Sequence, residues 1–142
     1  MSPLEAVLDT NVLIAALRSR RGASFHLLRM VSDSRWHLHI STALLLEYEE
    51  VARREARHFW IEPNRIEDVL NFLARNAQEH AISFRWRPFL SDPDDDFILE
   101  LAVAAKVSYV VTHNLRNFSG VERFAIQAIT PAEMLIKLRG IE

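Results

Sequence analysis

The sequence predicts an α/β fold of three layers, α/β/α, built around a central parallel sheet. Short β-like runs alternate with helical stretches along the whole chain, the pattern of strands joined by helical crossovers. The first run, "LEAVLD", is apolar almost throughout instead of alternating, as a strand covered on both faces requires. A chain of 142 residues with 49% hydrophobic content can fill one core, so residues 1–142 are expected to form a single domain.

Taken in order, "LEAVLD" is the first strand and "TNVLIAALRS" the helix after it, its start marked by the polar Thr10 and Asn11. "ASFHLLRMVS" continues as a second helical stretch after Gly22, and "WHLHIS" alternates as a strand. Ser41 or Thr42 then caps the helix "ALLLEYEEVARREA". Pro63 and Asn64 open "NRIEDVLNFLARNA", and "HAISF" reads as a brief strand. "SDPDDD" is an acidic turn before the helix "FILELAVAAK", which leads to the apolar strand "SYVVT". A loop around "HNLRNFSG", a short strand near "FAIQAI" and a helix after Thr130 and Pro131 complete the order.

Composition narrows the chemistry. With no cysteine there is no disulfide framework, thiolate zinc site or cysteine nucleophile. Neither a secretory segment nor an apolar run of the ~20 residues that span a bilayer is visible, so a soluble, cytoplasmic protein with no membrane association is expected. Net charge is -2, yet 15 of the 17 basic residues are arginines, several in groups: Arg18, Arg20 and Arg21; Arg53, Arg54 and Arg57; Arg85 and Arg87. Such planar forks suit phosphate or carboxylate, though each group also reads as an ordinary solvated surface. No glycine-rich phosphate loop is present. A receiver or an aspartate-nucleophile phosphohydrolase needs a lysine at a late strand end, which neither Lys106 nor Lys137 provides.

Acidic residues stand where open α/β sheets bind ligands, beyond the carboxyl ends of the strands. Asp9 ends the first strand and Asp96 begins the helix feeding "SYVVT". Read alone, Asp9 is equally a turn residue, and Asp92, Asp94, Asp95 and Asp96 are equally favourable charges at a helix start. Glu47 is more telling. Leu44, Leu45, Tyr48, Val51 and Ala52 form the buried stripe of its helix, and Glu49 and Glu50 face outward to pair with Arg53 and Arg54. Glu47 borders the stripe, where an unpaired carboxylate is costly, and so is expected to face a cavity or a cation. Carboxylates gathered from distant segments repel unless a hard cation neutralises them, and oxygen ligands suit Mg²⁺ or Mn²⁺. His37 and His39 share a strand face, but no third ligand supports a zinc site. His113 stands beside the expected mouth of the acidic pocket.

These residues carry a resemblance. "VLDTNVLIAAL" resembles the opening of PIN domains, "STALLLEYEEV" the second motif with Glu47 in the acidic position, and "DPDDDFILELAVAAKVSYVVTHNLRNF" the third and fourth. All occur in order over essentially the full chain. The resemblance, which extends to the stand-alone prokaryotic PIN toxins of toxin–antitoxin modules, implies a PIN-like fold and a metal-dependent endoribonuclease acting on single-stranded RNA. Asp9, Glu47 and Asp96 would be catalytic and hold Mg²⁺ or Mn²⁺ with Asp95 as a neighbouring ligand, while Asn11, Thr112 and Asn114 would position substrate. A small antitoxin and a homodimer are the implied partners. Where the family commonly has a fourth Asp this chain has Asn114, and Asn117 follows where another acid is often seen; an amide supplies no charge. That departure supports the alternative of a catalytically weakened PIN-like fold serving as a protein- or RNA-binding module.

Overall fold

Strand β1 (Leu4–Leu8) lies at the centre of a five-stranded sheet, with β2 (Trp36–Ser41) and β3 (Gln78–His80) on one side and β4 (Tyr109–Val111) and β5 (Gln127–Ile129) on the other. The computed structural model describes residues 2–81 and 93–141, the side chains of residues 93–95 excepted. Every strand pair is parallel. Parallel neighbours need crossovers: α1 (Thr10–Arg18) and α2 (Ala23–Arg29) lie between β1 and β2, α3 (Thr42–Glu55) and α4 (Ile66–Asn76) between β2 and β3, and α5 (Pro93–Ala104) between β3 and β4, whereas two short 3₁₀ turns join β4 to β5 and α6 (Pro131–Arg139) follows the last strand. Ala6, Val7 and Leu8 point to alternate faces yet all are buried, so both faces of the centre are covered, as the apolar run required. Among the described residues no helix is long and apolar enough to cross a membrane.

Local chemistry sets the helix starts. Ser41 caps α3 by accepting from the Leu44 N–H at 3.1 Å. Thr130 and Glu133 form a reciprocal capping box on α6, with Pro131 at the first position. Three sequence expectations are displaced. The strand expected at "HAISF" pairs two residues earlier, as β3, and residues 82–84 lie outside the described residues. The acidic stretch is not a turn before α5: Pro93 begins the helix, so Asp94, Asp95 and Asp96 occupy its first turn. Proline sacrifices no helical hydrogen bond there, and acids oppose the positive end of the helix dipole. "HNLRNFSG" contains a 3₁₀ turn, Leu115–Phe118, where a plain loop was expected.

The strand order reverses at β1, which leaves a crevice beyond the carboxyl ends of β1 and β4, the usual binding place in such sheets. Register fixes its walls: Leu8 pairs with Val111, and the Asp9 N–H donates to the Val111 carbonyl at 2.9 Å. α3 is anchored to the same place, since the buried Tyr48 hydroxyl donates to the Leu8 carbonyl at 2.5 Å. Replacing Tyr48 by Phe should therefore lower the free energy of unfolding by about 1–2 kcal/mol, the worth of one buried hydrogen bond. Urea denaturation reads this directly; an unchanged midpoint would show that the hydroxyl does not hold α3 to β1.

Candidate active site

Asp9 leaves β1 at the crevice and is almost completely buried. The Thr112 hydroxyl, fully buried at the end of β4, donates to Asp9 Oδ2 at 2.7 Å and accepts from the Asn114 N–H at 2.9 Å. One hydroxyl thus joins the ends of β1 and β4. The Asn11 side-chain carbonyl accepts from the His113 N–H at 3.3 Å, and His113 Nε2 lies 2.7 Å from the buried Ser24 hydroxyl in the first turn of α2. From α3, Glu47 receives the Thr10 hydroxyl on one carboxylate oxygen. Consecutive residues of α3, Glu47 and Tyr48, therefore grip Thr10 and Leu8, the two neighbours of Asp9.

Burial pushes the Asp9 carboxyl above its usual 3.8; the Thr112 hydroxyl, the N–H groups of Thr10 and Asn11, and His113 oppose that rise without cancelling it. Tyr48 is held well above the usual phenol value, first by burial and then by the charges of Asp9 and Glu47. A carboxylate that disfavours its own charge, beside a second carboxylate, is a place short of positive charge.

Asp9, Thr10, Asn11, Glu47, Asn114 and Asn117 share the wall of an open cavity of about 540 Å³. Arg18, Arg54 and Glu55 line the same cavity, with apolar packing from Ile14, Ala15 and Val51. Of the residues singled out in the sequence, Asp9, Asn11, Glu47 and Asn114 come together here, with Thr112 directly behind Asp9. Asp96 is buried in the first turn of α5, a helix packed on β1, β2 and β4, and is not part of this wall. The Asp95 side chain, like Arg85 and Arg87, lies outside the described residues.

The helix-face reading of α3 needs two amendments. Leu44, Tyr48 and Ala52 are buried, but Val51 lines the cavity instead of the core. Glu49 pairs with Arg53 at 2.9 Å, whereas the equally spaced Glu50 and Arg54 make no such pair, and Arg54 lines the cavity. Positions 47, 51, 54 and 55 fall on one stripe of the helix, and that stripe faces the opening. Thr10 as the partner of Glu47 was not foreseen; its position between a strand-end Asp and a helix was the available signal.

His37 and His39 are engaged by Glu5, at 3.1 Å and 2.7 Å, and the second nitrogen of His39 meets His80 at 2.8 Å. Glu5 and His80 thus approach His39 from different ring nitrogens, which cannot serve one ion together. Among the described residues no group of three or more His, Asp or Glu is arranged to hold a metal. The donor chemistry at the cavity nevertheless fits a hard divalent cation, since Mg²⁺ is commonly held by one or two carboxylates with water and substrate phosphate completing its shell.

Residues 5–116 match the sequence profile of the PIN domain. The fold also matches a PilT N-terminus domain protein from the hyperthermophilic archaeon Sulfolobus solfataricus P2, with a TM-score of 0.58 at 13% identity, over 98% of this chain and 97% of that one. At that identity the likeness is one of fold. No protein of curated function matches the sequence.

Charge at the cavity gives opposite signs for two substitutions. Because the folded-state pKa of Asp9 is raised, the stability it contributes is present below about 3.8 and lost as pH rises through the higher folded value. At pH 7 in chelator, Asp9→Asn should therefore melt above wild type, with the advantage shrinking towards pH 4. Asn114→Asp adds a carboxylate to the same wall and should melt below wild type in chelator, yet gain more from Mg²⁺ or Mn²⁺. Thermal melts across pH and metal test both; identical curves for all three proteins would remove Asp9 and Asn114 from a shared charged site.

Proposed function

The chain belongs to the PIN-domain family, whose members are typically metal-dependent nucleases, and we propose that it is an endoribonuclease hydrolysing phosphodiester bonds of single-stranded RNA. The observation that carries this reading is Asp9: a buried carboxylate with a raised pKa, facing a cavity shared with Glu47 at the point where the sheet's strand order reverses. In this reading Asp9 and Glu47 hold Mg²⁺ or Mn²⁺, with Asp96 and Asp95 as further acids from the start of α5. What such a cation supplies when bound is neutralisation of phosphate charge and a more acidic water.

The chain's own groups do the rest. Thr112 fixes Asp9 through its hydrogen bond, and Thr10 fixes Glu47, so neither carboxylate must reorient during the reaction. Glu47, with one oxygen engaged by Thr10, is assigned either to hold the cation or to orient the attacking water as its base. Asn11 and Asn114 are assigned to position the phosphate, the amide of Asn114 being able to donate where an aspartate could only repel. The carboxylates alone would repel RNA, so binding and cleavage both depend on the cation.

We assign the chain to the toxin side of a toxin–antitoxin pair, acting in the cytoplasm as a homodimer. Supporting the partner is a second, mostly apolar hollow of about 390 Å³ formed by Leu17, Phe25, Leu28, Trp60, Val69 and Phe72 with Arg29 and Asp68, the last paired with Arg65 at 3.2 Å. Arg20 lies over Trp60 and Arg29 over Phe25. Cations beside apolar surface fit an acidic, amphipathic segment of a small antitoxin.

Cleavage of a fluorescent single-stranded RNA, with metal and with chelator, tests the activity. Asp9→Asn, Asp96→Asn and Glu47→Gln should each abolish metal-dependent cleavage in folded protein, whereas Glu50→Gln should stay within about twofold of wild type, since exposed helix charges contribute only tenths of a kcal/mol. Equal losses in all four, or wild-type rates in the first three, would sink the assignment. If wild type is inactive yet binds RNA or antitoxin, the fold serves as a binding module and Asn114 accounts for it. Light scattering should find a dimer; a monomer up to high micromolar concentration would exclude it.

A further inference from the structure

Arg54 is an arginine without an ion-pair partner among the described residues, although its own helix offers one. The same i,i+4 spacing one residue earlier forms a close pair, Glu49 with Arg53. That neighbouring pair is an internal control: helix geometry permits the contact, and Arg54 forgoes it to line the cavity that holds Asp9 and Glu47. The other arginine of the wall, Arg18, stands 3.7 Å from Glu55, so its charge is already partly answered. Arg54 is then the arginine of this wall that no ion pair holds among the described residues.

We propose that Arg54 anchors the RNA backbone by binding a phosphate next to the scissile one. This rests on the nuclease reading and extends it. Glu47 and Arg54 lie seven residues apart on one face of α3, about 10 Å along the axis. From a backbone offset of that size the long arginine side chain can reach a neighbouring phosphate while the carboxylates engage the phosphate being cut. Arginine suits the task because its planar fork binds two phosphate oxygens at once, and it stays charged at every working pH. Placing the cation one phosphate away also keeps it from displacing the metal at the acidic end, so attraction for the polyanion and affinity for the divalent ion do not compete.

The test compares Arg54→Gln, Arg54→Lys and Arg53→Gln, the last removing the same charge from the same helix but off the cavity. With a short fluorescein-labelled oligouridylate and Mg²⁺, Arg54→Gln should raise KM about tenfold, the worth of one charge-assisted contact, with kcat within about twofold. Binding measured by anisotropy with Asp9 intact and Ca²⁺ in place of Mg²⁺ to slow cleavage should weaken similarly, and the slope of log affinity against log salt should fall by about one. Arg54→Lys should keep the slope while recovering only part of the KM. Arg53→Gln should match wild type in both. If wild type cleaves and Arg54→Gln retains its KM and salt slope, or Arg53→Gln has the same effect, the anchoring role is overturned while the nuclease reading stands. If wild type neither binds nor cleaves RNA, both fall together.

Discussion

The structure depends on a carboxylate kept almost without water at the point where the sheet turns back on itself. Asp9 can be there because β1 runs up the middle of the sheet and ends where no neighbouring strand closes the crevice. Its cost is spread over several partners: Thr112 donates to it, the amides of Thr10 and Asn11 face it, and His113 lends some positive field. None removes the penalty of burial. The remainder is a standing demand for positive charge, and the arrangement around it is organised to hold that demand in place instead of relieving it.

α3 translates that demand into geometry. Residues 47 and 48 lie a hundred degrees apart on the helix, so one side chain enters the core while the next reaches the opening. Tyr48 packs inward and donates to Leu8; Glu47 meets Thr10. Further along, Val51, Arg54 and Glu55 continue the same face. A single helix thereby presents an acid close to Asp9 and a base two turns away, and the spacing is as rigid as the helix that sets it.

Much of this was legible in the sequence because the relevant signals are local. The mostly apolar "LEAVL", broken only by Glu5, announced a central strand, and the strand-end position of Asp9 announced the crevice. Glu47 was separable from Glu49 and Glu50 by helical periodicity alone. What escaped were relations between distant segments. Nothing near Thr10 says that its hydroxyl will find Glu47, 37 residues on. Nor does any local feature say that Arg54 will decline Glu50. The start of α5 was misjudged for a different reason: proline and a run of acids serve a turn and a helix N-terminus equally well, and the difference lies in what the helix packs against.

The hydrogen bond from Thr112 to Asp9 closes a loop of 103 residues. Long loops close slowly, because chain entropy must be given up before the contact repays it, and non-local parallel pairing folds late for the same reason. The acidic crevice therefore exists only once Thr112 has joined the end of β1, and until that late contact forms the carboxylates of β1 and α3 are not held in their common arrangement.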